Sequence, residues 1–196
     1  MRRLLLATTL ILTATAAQAN LIGTQVTLVY NFDYPGYVGP TSTTDVFTAG
    51  AGIEAQCTGG GSGNANVCFM LSAPNQSVDF GASTITYTFT STGLPGGFNP
   101  QPVNGFSFQT LDGDGPIGGY TLSTNIAGLD GSRISFTSSS IDLYMGGLAL
   151  GFAGTFELTL QIPEPTTLGL LTVGMLGLRA TRRRGAGVTG RSAPLG

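Results

Sequence analysis

The chain has 196 residues with eight arginines, no lysine, no histidine and ten acids, and only 9% of it is charged, against roughly 25% in an average soluble domain. Without lysine there is no P-loop or Schiff-base chemistry, and without histidine no Ser-His-Asp or Cys-His engine and no imidazole metal ligand. Between Asn20 and Ile162 lie nine of the acids and a single base, Arg133; a body so acidic repels a phosphate backbone, which excludes nucleic acid as a partner.

The first 19 residues, MRRLLLATTLILTATAAQA, place Arg2 and Arg3 before an apolar run from Leu4 to Ala17. A helix of that run spans roughly 21 Å, short of a ~30 Å hydrocarbon core. Ala17-Gln18-Ala19 has the A-x-A form of a signal-peptidase site. The segment reads as a signal peptide cut after Ala19, with the mature chain starting at Asn20; an uncleaved anchor is the alternative. The secretion translocon and signal peptidase are the implied partners.

From residue 20 to residue 162 there are 24 glycines and abundant serine and threonine, and no apolar helical period lasts longer than a turn. Period-two alternation replaces it. Val26, Leu28, Tyr30 and Phe32 share one face of a first strand. Ile85, Tyr87 and Phe89 alternate with Thr84, Thr86, Thr88 and Thr90. Further runs carry Phe106 and Phe108; Tyr120, Leu122 and Ile126; Ile134 and Phe136; Ile141, Leu143 and Met145; and lastly Phe156, Leu158, Leu160 and Ile162. Turn signals at Pro95-Gly96-Gly97, Asp112-Gly113-Asp114-Gly115 and Asp130-Gly131 separate them. About eight to ten short strands, each apolar on one face, bury that face only against a second sheet or in a barrel. The expectation is an all-β, antiparallel β-sandwich of jelly-roll type over residues 20–162.

Within this body Cys57 and Cys68 bracket a glycine-rich loop. In an oxidising compartment such a pair reads most simply as a disulfide; a redox or metal pair is the alternative, though zinc would need ligands that the loop lacks. Asp112-Gly113-Asp114-Gly115 resembles a fragment of a calcium loop without its distal glutamate, and Asp-Gly is also what a tight turn selects. No metal and no cofactor is expected. The carboxylates Asp33, Asp45, Glu54, Asp79, Asp112, Asp114, Asp130, Asp142 and Glu157 are the acid–base groups available for catalysis. A glycosidase needs two of them about 5 or 6.5–9.5 Å apart, and sequence places no two together, so no catalytic residue is assigned. Thr84, Thr86, Thr88, Thr90 and Thr92 would form one outward rank of hydroxyls suited to ordered water or polysaccharide, or simply a good strand.

After the last strand, Pro163-Glu164-Pro165 cannot continue a ladder. Thr166 to Leu178 is uncharged and apolar or small, and Arg179 and the cluster Arg182, Arg183, Arg184 follow. By the positive-inside rule these arginines hold that flank in the cytoplasm, so the body faces outward. The segment reads as a short transmembrane helix, with an amphipathic or core helix as the alternative. The tripeptide, the short helix and the arginine cluster together resemble the PEP-CTERM sorting domain of Gram-negative envelope proteins, over residues 163–184. The resemblance implies that Pro163, Glu164 and Pro165 are recognised by an exosortase-type membrane protease and that Arg182, Arg183 and Arg184 act as the cytoplasmic stop. It also implies a transient tether at the inner membrane, a final site in the envelope, surface or extracellular matrix, and an association with biofilm and exopolysaccharide. Two departures from the family pattern are Arg179 and the tail Gly185–Gly196, expected to be disordered. The expected function is that of an exported, non-catalytic structural or adhesive protein. The alternatives are a module binding exopolysaccharide and, third, a hydrolase with a carboxylate pair.

Overall fold

The computed structural model describes residues 20–33, 36, 42–71, 75–101, 103–113 and 115–161. The expected signal peptide, the sorting segment 163–184 and the tail 185–196 lie outside these residues. The chain divides into a unit ending at Pro163 and a second from Glu164 to Gly196, and the elements below belong to the first. Among the described residues no helix is long and apolar enough to cross a membrane.

In chain order the strands are β1 (Gln25–Phe32), β2 (Ser42–Thr48), β3 (Ile53–Gly59), β4 (Ser62–Gly63), β5 (Gln76–Phe80), β6 (Thr84–Thr90), β7 (Gly96–Gly97), β8 (Asn104–Gln109), β9 (Gly119–Thr124), β10 (Ile134–Phe136), β11 (Ser140–Tyr144), β12 (Ala149–Gly151) and β13 (Ala153–Gln161). Helix is confined to α1 (Val67–Met70) and a 3₁₀ turn at Gly131–Arg133 among the described residues. One sheet runs β10-β11-β8-β1-β2, a second runs β4-β3-β5-β6-β13-β9, and β12 pairs with β7 in a small ladder. The pairings are antiparallel throughout. The expected all-β antiparallel body is therefore present; a strand order of this kind does not by itself spell a jelly roll.

Strict alternation builds the core. Val26, Leu28 and Tyr30 of β1, Ile85, Tyr87 and Phe89 of β6, and Phe156, Leu158 and Leu160 of β13 are all buried, because a strand's side chains point to opposite faces in turn. Rings from the two sheets meet in one cluster. Phe106 of β8 lies 5.2 Å from Tyr87 of β6 and 6.2 Å from Phe156 of β13, and Phe80 of β5 meets Phe108 edge-on at 5.9 Å.

Two tyrosines carry hydroxyls into this core. Tyr30 donates to Asn104 Oδ1 at 2.7 Å and Tyr87 to Gln76 Oε1 at 2.5 Å, which satisfies groups that would otherwise be costly to bury. Burial pushes both hydroxyl pKa values well above the ordinary value near 10, and the neighbouring Tyr30 raises Tyr87 further. The folded protein thus keeps both phenols neutral while an unfolded chain ionises them. Stability from this source is full below pH 10 and falls as pH climbs toward the folded values, by about 1.4 kcal/mol per pH unit and tyrosine. Urea denaturation between pH 9 and 11 should show that decline; a flat profile would mean that the phenols ionise without unfolding.

Six strands went unread in the sequence: the short β4, β7 and β12, of which β7 falls on the turn expected at Pro95-Gly96-Gly97, and the longer β2, β3 and β5. In β2, at a sheet edge, Val46 is exposed beside inward-facing Phe47, which blurs the period. β3 turns the small residues Ala55 and Cys57 inward and leaves Ile53 outside. β5 spends one inward position on the polar Gln76. Thr92, expected to extend the threonine rank, lies beyond the end of β6, in a bend.

Candidate functional site

Gly105 leaves a notch in the middle of the five-stranded sheet. It pairs with Asn31 of β1 on one side and with Tyr144 of β11 on the other. A Cβ at Gly105 would collide with the Leu143 carbonyl oxygen, so only glycine fits here. The notch opens into a cleft of about 190 Å³, whose polar walls include Asn31, Arg133, Ser135, Asp142 and Tyr144.

The turn before β10 sets the position of Arg133. Asp130 Oδ1 accepts from Ser132 Oγ at 2.6 Å and from Ser132 N at 2.9 Å. These bonds, with the nearby Arg133 charge, hold the Asp130 carboxyl below its usual range. Arg133 Nη1 then donates to the carbonyls of Gly146 at 3.0 Å and Tyr144 at 3.4 Å. Its guanidinium lies 5.3 Å from the centre of the Tyr144 ring, a cation–π distance. The Tyr144 hydroxyl donates in turn to Gln101 O at 2.8 Å. Asp142 sits opposite Ser135 and Ser107 in the cross-strand row and makes no side-chain hydrogen bond among the described residues. Sequence reasoning missed this grouping. Its one legible sign was Arg133, the single base of the body.

The second sheet turns a field of hydroxyls outward. Thr84, Thr86 and Thr88 stand opposite Thr159, Glu157 and Thr155 of β13, which continue to Thr121 and Ser123 of β9. On the other side Thr88 and Thr86 face Ser77 and Asp79 of β5. The rank expected on one strand thus has neighbours on three others. Asp79 and Glu157 flank Thr86 in one row, with their backbones about 10 Å apart across the intervening strand.

Other candidates have structural work. Asp45 Oδ1 and Oδ2 each accept at 2.8 Å from the Asn66 and Val67 N–H groups, and Glu54 joins Gly50 N to Phe80 N, also at 2.8 Å. At the Asp112 turn the backbone carbonyl of Asp112, not its carboxylate, accepts from Gly115 N at 3.1 Å; Asp114 is outside the described residues. No group of three or more potential metal ligands occurs among the described residues.

Cys57 and Cys68 form a disulfide, with Cα atoms 5.1 Å apart. The bridge ties β3 to α1, and Gly63 between them is packed so closely that a Cβ there would strike Cys68 Sγ. By the chain-entropy account a loop of this span contributes about 2.5–3 kcal/mol. Reduction, or paired substitution of both cysteines by alanine, is expected to lower the melting temperature by on the order of 10 °C. A shift under about 2 °C would mean that the loop is held without its bridge.

The remaining expected sites, Ala17 and Ala19 before Asn20, Pro163-Glu164-Pro165 and Arg182-Arg183-Arg184, lie outside the described residues, apart from Asn20 itself. No curated protein and no solved structure matches the chain. Residues 161–184 do match one family model, the PEP-CTERM protein-sorting motif. The match spans the proline–glutamate–proline junction, the uncharged stretch and the arginine cluster. The chain therefore carries a PEP-CTERM protein-sorting motif, the recognition signal for exosortase processing and the address of an extracellular protein.

Proposed function

We propose that this is an exported, non-catalytic protein that serves as a structural or adhesive component of the extracellular matrix. A signal peptide ending at Ala19 starts the export. The short helix after Pro165 tethers the chain at the inner membrane, and an exosortase-type protease releases it near the tripeptide. The observation that carries this reading is the sorting motif at 161–184, placed directly after the last strand of the β body. The carboxylates of Asp45 and Glu54 support a non-catalytic body, since each is bound to backbone N–H groups. Mass spectrometry of the extracellular form tests the route. The expected product begins at Asn20 and ends near the tripeptide; a product that still ends at Gly196 would refute sorting by cleavage.

A further inference from the structure

We infer that the cleft over Gly105 binds one neutral sugar unit of a glycan. The inference goes beyond the sorting route and rests on the cleft alone. A sugar hydroxyl donates and accepts at once, so its site needs both kinds of partner within a small space. Asp142 supplies acceptors only, the Arg133 guanidinium donors only, and Asn31 and Ser135 both. All four line the same cleft. Arg133 uses Nη1 for the Tyr144 and Gly146 carbonyls, which leaves the donors on Nη2 and Nε for a ligand. The cleft also has apolar surface for the C–H face of a sugar ring, from Tyr144 and from Val103, which is 49% exposed.

The competing ligand classes fit less well. An anion would meet Asp142 in the cleft and, around it, a body with nine acids and one base; the field steers it away. A hard divalent cation takes six or more oxygens, and here one carboxylate shares the cleft with a guanidinium. At about 190 Å³ the space is below the roughly 300–1,000 Å³ of sites for drug-sized molecules, which suits a single ring of a longer chain. The walls are set in advance: the hydrogen bonds of Arg133 and Tyr144 to backbone carbonyls lower the ordering cost of binding.

The test is titration calorimetry of the full chain in detergent with neutral tetrasaccharides built on glucose, mannose, galactose or N-acetylglucosamine, and with polygalacturonate as the acidic probe. The expected result is binding of at least one neutral tetrasaccharide with Kd near 1 mM or tighter, as a few hydrogen bonds in an open cleft provide. Asp142→Ala and Asn31→Ala should each weaken it about tenfold or more with the fold retained. Thr86→Ala, on the opposite sheet, should leave it unchanged. Should Asn31→Ala fail to fold, Ser135→Ala, at an exposed position, takes its place. Absence of binding by every neutral probe, binding of the acidic polymer alone, or a loss in Thr86→Ala equal to that in Asp142→Ala would each overturn the proposal. None of these outcomes depends on cleavage near Pro163, so a failed sugar site and a failed sorting route are told apart.

Discussion

Phe106→Ala is expected to cost about 3–5 kcal/mol of folding stability, a large share of the roughly 5–15 kcal/mol that holds a domain together. Phe106 is 1% exposed on the central strand of its sheet. Five rings surround it: Tyr30 at 5.1 Å, Tyr87 at 5.2 Å, Phe108 at 6.0 Å, Phe98 at 6.1 Å and Phe156 at 6.2 Å. The cavity left by alanine would be walled by aromatic side chains fixed on both sheets, which collapse poorly into it. Phe136→Ala on the edge strand β10 is the control; its ring is 44% exposed and, among the described residues, meets only the Tyr120 ring, edge-on at 5.6 Å, so about 1 kcal/mol or less is expected. Urea denaturation of the two variants decides the matter. Equal losses would show that the ring cluster is not the centre of the core.

Glu164→Ala is expected to cut the released fraction about 10- to 100-fold, the worth of one charge-assisted hydrogen bond to a recognised carboxylate. The two prolines remain, and proline restricts its own backbone and that of its predecessor whichever residue stands between them, so the loss would report the carboxylate and not a refolded linker. Uncut chain should accumulate in the inner membrane, as it should when the exosortase is deleted. Joint replacement of Arg182, Arg183 and Arg184 is expected to act differently: without the basic flank the segment loses its orientation signal, and uncut protein should appear outside the cell. Fractionation with an antibody to the β body separates the two outcomes. Normal release of the Glu164→Ala form would remove Glu164 from the recognition motif.

What could be read in advance follows from how local each signal is. In β1, β6 and β13 every second residue is large and apolar, so the strand and its buried face are written in a few adjacent positions. The cysteine bridge was legible for the same reason: both partners and their loop lie within one short segment. β2, β3 and β5 were not, since their inward positions hold Asp45, Ala55 and Gln76, whose burial depends on partners far along the chain. Glu54, for which sequence offered no partner, links Gly50 to Phe80. The cleft over Gly105 draws on β1, β8, β11 and the turn before β10, and no local pattern carries the register that brings them together.

Arg133 has a further consequence for how long the protein lasts. Between Arg3 and Arg179 it is the one position after which a protease specific for basic residues could cut. Its peptide bond is tied into the 3₁₀ turn, where the Ile134 N–H bonds to Gly131 O and the Arg133 N–H to Asp130 O, while its side chain is drawn onto Tyr144. A protease needs an extended segment in its cleft, so scission there waits for local opening. Outside the cell, the lifetime of the body under such enzymes is then governed by the unfastening of a single turn.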